Sequence, residues 1–260
     1  MRESQSWTPF LDRLGDVATA AILPHFRTRL DVDNKEARGF DPVTVADRAA
    51  EEAIRAVIAA EHPDHGILGE EFAPVGLDAE HVWVVDPIDG TRAFISGLPV
   101  WGTLIGLKRH GKPLAGMMVQ PFTGERFSGG PDGALYRGPG GPRTLATRPC
   151  ASLADATLFT TTPHIFTPEE KTAYDRVERA ARLARYGCDC YAYCMVAAGH
   201  VDVVVEAGLK AFDIVALIPV IEAAGGIVTT WDGGDPSEGG RILACGDRRV
   251  HAEAMRLLAG

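Results

Sequence analysis

The 260-residue sequence has no apolar run approaching the ~20 residues that cross a bilayer. It also lacks a basic excess: 26 Lys and Arg stand against 35 Asp and Glu, a formal net charge of −9. A nucleic-acid partner, which requires a basic face, is therefore not expected. The opening residues Met1-Arg2-Glu3-Ser4-Gln5-Ser6-Trp7 show neither the apolar stretch nor the small-residue cleavage site of a signal peptide. Cysteine is scarce: Cys150, Cys188, Cys190, Cys194 and Cys245. An odd count with three crowded together does not build a secreted disulfide framework, so a cytoplasmic protein off the membrane is expected. Cys188-x-Cys190-x-x-x-Cys194 lacks the second ligand pair of a structural zinc site. Gly124, Gly129, Gly130 and Gly133 do not form the Gly-x-x-x-x-Gly-Lys-Ser/Thr loop of a nucleotide site and read as turns. No internal repeat or low-complexity tract is present.

What remains is ordinary globular material, 46% hydrophobic and 23% charged, long enough for one large domain or two packed lobes. Phe10, Leu14, Val17, Ala18, Ala21 and Ile22 recur at helical steps and predict an amphipathic helix. A second helix is predicted from Thr44, where Asp47 three residues on completes a capping box, and it ends at His62-Pro63-Asp64. Short apolar stretches at 66–68, 81–85, 103–107 and 115–119 read as strands, with a hairpin turn at Gly111. Residues 129–148 are rich in Gly and Pro and mark loops with one short strand at Leu135-Tyr136, the best boundary between two lobes. Beyond it, strands at 156–160, 201–206, 227–230 and 242–245 alternate with helices at 168–183, 189–198, 214–224 and 247–258. The pattern indicates a mixed, layered α/β or α+β fold.

Carboxylates end strands or begin helices in four distant places: Asp41 with Asp47, Glu70-Glu71, Asp86 with Asp89, and Asp213. Any one of them alone reads as a cap, a turn or a solvated charge. The run Asp86-Pro87-Ile88-Asp89-Gly90-Thr91 differs because it follows the apolar strand 82–85 directly. Two carboxylates at the end of a buried strand repel unless a cation lies between them. With the Ile88 carbonyl they form the hard oxygen set that magnesium prefers. Gly90-Thr91 then opens a helical turn whose free N–H groups suit a phosphate.

Leu68-Gly69-Glu70-Glu71, Trp83-Val84-Val85-Asp86-Pro87-Ile88-Asp89-Gly90-Thr91, and Asp213 before the helix ending Glu222-Ala223-Ala224-Gly225-Gly226 resemble the inositol monophosphatase superfamily. Asp41-Pro42-Val43-Thr44-Val45-Ala46-Asp47 matches its upstream element, so the likeness runs from about Lys35 to Gly226. The resemblance implies a layered αβαβα, sugar-phosphatase-like fold, with residues 1–145 as an N-terminal lobe holding most metal ligands. Residues 146–260 would form a C-terminal lobe carrying Asp213 and the residues that choose the substrate. It implies two or three Mg2+ ions held by Glu70, Asp86, the Ile88 carbonyl, Asp89 and Asp213. Asp47 would orient Thr91, and both would act with Glu70 on the attacking water. Gly90, Thr91 and Lys35 would hold the phosphate, and a homodimer is implied. The expected chemistry is hydrolysis of a small phosphate ester by metal-activated water, without a protein nucleophile.

Leu209-Lys210-Ala211-Phe212-Asp213 is similar to the Leu-Lys-Pro-Tyr-Asp of the histidinol-phosphate phosphatase branch, and Gly187-x-Asp189-x-Tyr191 also matches that branch. L-histidinol phosphate, an intermediate of histidine biosynthesis, is the substrate this implies. Its amine and imidazole call for carboxylates in the pocket, with Asp189 and Glu206 as candidates. Ala211-Phe212 departs from Pro-Tyr by a hydroxyl. Inositol 1-phosphate or another small ester is the alternative within the superfamily, and a metal-binding regulator the alternative outside enzymes.

Overall fold

The computed structural model describes residues 6–29, 32–34 and 42–260. The first half holds helix α1 (Thr8–Ile22), the antiparallel pair β1 (Val32–Asn34) and β2 (Pro42–Thr44), and helix α2 (Val45–Glu61). It continues through β3 (Gly66–Gly69), β4 (His81–Asp89), the short helix α3 (Thr91–Ile95), β5 (Gly102–Arg109), β6 (Lys112–Gln120), β7 (Glu125–Gly130), β8 (Gly133–Arg137) and β9 (Arg143–Thr144). Strands β3 to β9 lie in sequence order in one seven-stranded sheet. All its neighbours are antiparallel except β3 and β4. The β5–β6 turn carries positive φ at both His110 and Gly111, which matches the twist of the strands it joins.

The second half holds β10 (Thr157–Thr160), α4 (Pro168–Ala180), β11 (Leu183–Tyr186), α5 (Asp189–Ala197), β12 (Val203–Leu209), α6 (Ala211–Ile214), α7 (Leu217–Ala223), β13 (Ile227–Thr230), β14 (Gly240–Cys245) and α8 (Arg248–Ala259). Its five strands form a second sheet in the order β11-β10-β12-β14-β13.

Among the described residues, three large apolar clusters hold five layers together. Phe10, Leu14, Ile54 and Ile58 of α1 and α2 pack on Trp83, Ile105 and Met117 of the large sheet. Tyr193, Val196, Leu217 and Val220 of α5 and α7 fill the space between the two sheets. Tyr174, Val177, Val250 and Ala254 of α4 and α8 cover the outer face of the small sheet. Each fully buried aliphatic side chain contributes roughly 1.5–3 kcal/mol. The helix–sheet–helix–sheet–helix order is the mixed layered fold expected.

Several element boundaries differ from the expectation. The helix predicted over 214–224 is two short helices, because Pro219 has no N–H to give to Val215. The helix predicted over 168–183 stops at Ala180, and Leu183–Tyr186 pairs in parallel with β10. Residues 125–144 form three strands, not loops around one.

The glycines behind that misreading serve a close contact. Gly106, Gly116 and Gly129 sit opposite one another on β5, β6 and β7, a row across three strands. A Cβ at Gly116 would lie 2.0 Å from the Ala216 carbonyl, and one at Gly129 2.4 Å from Val220 Cα. The row is a groove into which the Val215-Ala216 junction after α6 and the start of α7 settle. Asp213 rides on α6 and so reaches the large sheet from the far half of the chain.

Candidate active site

Strand pairing places the first two acids. Gly69 pairs with Val85 in the parallel β3–β4 ladder, and Glu70 N–H donates to the Val85 carbonyl at 3.2 Å. Glu70 therefore leaves β3 beside Asp86. In a regular strand, Asp86 and Asp89 would face opposite sides, three residues apart. The ladder slips here: Asp86 pairs with Leu104 and Asp89 with Gly102, so β4 spends one residue more than β5. This bulge turns the acids toward one cavity. The acidic run thus lies inside the end of β4, not after a strand that stops at Val85. Pro87 withdraws a donor from the ladder, and its carbonyl accepts from Thr103 Oγ1 at 2.8 Å.

Asp86, Asp89 and Asp213 each bring one carboxylate oxygen within 4.8 Å of the others. Glu70 and Ile88 line the same cavity. Asp213 Oδ2 accepts the Lys210 N–H at 2.6 Å, and Asp89 Oδ2 accepts the Cys190 N–H at 2.6 Å from the first turn of α5. Burial first, then neighbouring carboxylates, pushes Asp86 and Asp89 well above the usual carboxylate range. Burial likewise raises Asp213 to about 6, though the Lys210 N–H pulls it back. Asp86 Oδ1 is buried with no hydrogen-bond partner among the described residues. Clustered, desolvated carboxylates with an orphaned oxygen fit a hard divalent cation.

Asp47 is held by the predicted capping box: its Oδ2 accepts from Thr44 N–H at 2.8 Å and from Thr44 Oγ1 at 2.6 Å. Burial lifts it to about 6, with Glu70 adding to the rise. Thr91 Oγ1 donates to the Ile88 carbonyl at 3.0 Å, so the hydrogen bonds of Asp47 and Thr91 run to other partners than each other. Gly90 has φ of 83°, which turns the chain from β4 into α3, and Gly90 and Thr91 both line the cavity.

Asp189 lines the cavity outside the Asp86–Asp89–Asp213 cluster. It has φ of 44° and lies so near Gly90 that a Cβ there would stand 3.1 Å from its Cγ. Burial raises it to about 6, and Arg92, another wall residue, draws it down. Glu206 sits one layer behind. It is 2% exposed, and its Oε1 accepts the N–H of Thr161, which forms the wall. Burial pushes Glu206 to about 8, and its Oε2 has no partner among the described residues. Lys35 and Asp41 lie outside the described residues.

Three contributors were not foreseen. Arg92 directly follows Thr91 and could have been read with it. Thr161 gave no local signal. Glu51 stands one turn after Asp47 on α2, and that four-residue step was the signal that could have found it. All five cysteines are free.

A five-layered chain with a carboxylate-walled cavity at the end of a parallel strand pair defines a sugar-phosphatase-like hydrolase of the metal-dependent kind. The chain belongs to the inositol monophosphatase family, whose model matches residues 3–259, and is a phosphatase of that superfamily. It is 41% identical over 256 residues to the bifunctional phosphatase IMPL2 of Arabidopsis thaliana, covering 94% of this chain and 72% of that one. It is 35% identical to a histidinol-phosphatase of Chlorobaculum parvum, over 82% of this chain and 81% of that one. Among solved structures, an inositol monophosphatase from Zymomonas mobilis superposes with a TM-score of 0.87 at 38% identity, over 98% of this chain and all of the other. No helix among the described residues is long and apolar enough to cross a membrane.

Proposed function

We propose that the chain is a Mg2+-dependent phosphomonoesterase that converts L-histidinol phosphate to L-histidinol and phosphate. The observation that carries this reading is Asp189, a carboxylate in the cavity wall beside Asp89 but outside the Asp86–Asp89–Asp213 oxygen cluster. Such a group suits a leaving group bearing an ammonium or imidazolium. The likeness to the Chlorobaculum parvum histidinol-phosphatase and the Leu209–Asp213 motif support the same choice.

Two or three Mg2+ ions would be held by Glu70, Asp86, the Ile88 carbonyl, Asp89 and Asp213, supplying activation of water and neutralisation of the phosphate charge. Glu70, Asp47 and Thr91 orient the attacking water on the opposite side of phosphorus from the leaving oxygen. The Gly90 and Thr91 N–H groups hold the phosphate oxygens, with Lys35 adding a charge. Asp189 takes the cationic end of the leaving group, and Glu206 supports it through Thr161. The reading includes a cytoplasmic homodimer.

The Zymomonas mobilis likeness favours inositol 1-phosphate as the second reading. Turnover of the two esters, side by side and with or without a chelator, decides between them. We expect chelation to stop both reactions and histidinol phosphate to be preferred. Asp189→Asn should raise KM for histidinol phosphate about tenfold or more, the worth of a charged hydrogen bond, and barely touch the inositol ester. Preference for the inositol ester would overturn the substrate; turnover that survives chelation would overturn the mechanism.

A further inference from the structure

Helix α2 carries Asp47, Glu51 and Arg55 at four-residue steps, on one face. Glu51 is fully buried and is not among the residues that line the acidic cavity. Its Oε2 accepts the Glu71 N–H at 2.7 Å, and its Oε1 accepts the Phe72 N–H at 3.3 Å and Arg55 Nε at 2.7 Å. Arg55 also donates to the Phe72 carbonyl at 3.2 Å. The two peptides that follow Glu70 are thereby clamped by side chains. Ahead of it, the Glu70 N–H is bonded to Val85. Glu70 is thus fixed from both sides although it stands past the end of an edge strand.

Gly69 reports how tightly the clamp fits. A Cβ built there would lie 1.9 Å from Glu51 Oε1 and 2.3 Å from its Cδ. Gly69 has no positive φ, so space alone, not backbone conformation, excludes a side chain.

We propose that Glu51 is a positioning residue for the reaction, setting the direction of the Glu70 carboxylate by holding the 70–72 backbone. The proposal rests on the reading of Glu70 as a metal ligand. Partners behind a ligand commonly control metal affinity or activity by about 10–100-fold. Glu51→Gln puts an NH2 group where an acceptor is needed, so at least one of the clamped N–H groups meets a donor. The ester itself is not touched.

The test measures Mn2+ affinity by the electron paramagnetic resonance of free Mn2+, together with kcat and KM, for wild type, Glu51→Gln, Gly69→Ala and the double variant. We expect each single variant to bind Mn2+ about 10–100-fold more weakly, with a parallel fall in kcat and unchanged KM. Gly69→Ala reaches the same clamp without altering a charge, so the double variant should lose little more than either single one. Wild-type Mn2+ affinity and kcat in Glu51→Gln, with only melting temperature lowered, would leave Glu51 a merely structural residue and overturn the proposal. Losses that multiply in the double variant would also overturn it. A wild-type protein that binds no Mn2+ would overturn the metal reading itself, and the role of Glu51 with it.

Discussion

Glu206 shows how one carboxyl can link stability to recognition. Burial holds it at about 8, so in the free protein it is un-ionised at neutral pH, whereas in the unfolded chain it ionises near 4.5. Between those values the unfolded state has released a proton that the folded state keeps. Its contribution to stability is therefore full below about 4.5 and is lost as pH rises through about 8. Glu206→Gln keeps an oxygen for the Thr161 N–H and cannot ionise. Melting temperature should then fall less steeply from pH 5 to pH 8 in the variant than in wild type. Parallel curves would show that Glu206 is ionised in the fold. The acids were legible in the sequence because strand ends and helix starts concentrate them. That Glu206 stands behind Thr161, and not in the wall, depends on the pairing of β10 with β12, which local sequence does not encode.

At the scale of elements, α1, α2, β3 to β6 and the late strands were legible, because each carries its own period and caps. The Gly-rich stretch was not. Glycine signals either a turn or a close approach of another backbone, and sequence alone does not separate the two. Gly129 was read as a turn, yet it stands under α7 beside Gly116 and Gly106. The row seats Val215-Ala216 and α7 on the large sheet, and Asp213 stands two residues before that junction, on α6. Gly116→Ala forces a methyl into the Ala216 carbonyl, an overpacking cost of about 1–3 kcal/mol. We expect a lower melting temperature together with a higher Mg2+ concentration for half-maximal activity, as the helix lifts. Stability lost with unchanged Mg2+ dependence would mean that Asp213 is placed independently of the row.

At the scale of the molecule, a charge of −9 decided little about function when spread over the whole sequence, but the fold gathers much of it at one point. Glu70, Asp86 and Asp89 come from the large sheet, Asp213 from the groove helices, and Asp189 from α5, all around one cavity. The site lies where the two halves of the chain meet, so a cation there binds only the folded arrangement. A ligand at a hundred times its dissociation constant adds about 2.7 kcal/mol, which for a chain of this size is about 5–10 °C in melting temperature. Burial holds Asp213 at about 6 and pushes Asp86 and Asp89 well above the usual carboxylate range, so protons compete with the cation at low pH. Raising pH from 5 to 8 should therefore weaken the metal-free protein, because the unfolded carboxyls, with an ordinary value of 3.8, are already ionised at pH 5 while the folded cluster still holds protons. Over the same range, saturating Mg2+ should raise the melting temperature by a growing margin. Differential scanning fluorimetry with and without Mg2+ at both pH values measures the two slopes. An equal Mg2+ increment at pH 5 and pH 8 would place the cation on groups that do not titrate in this range, away from the Asp86, Asp89 and Asp213 carboxylates.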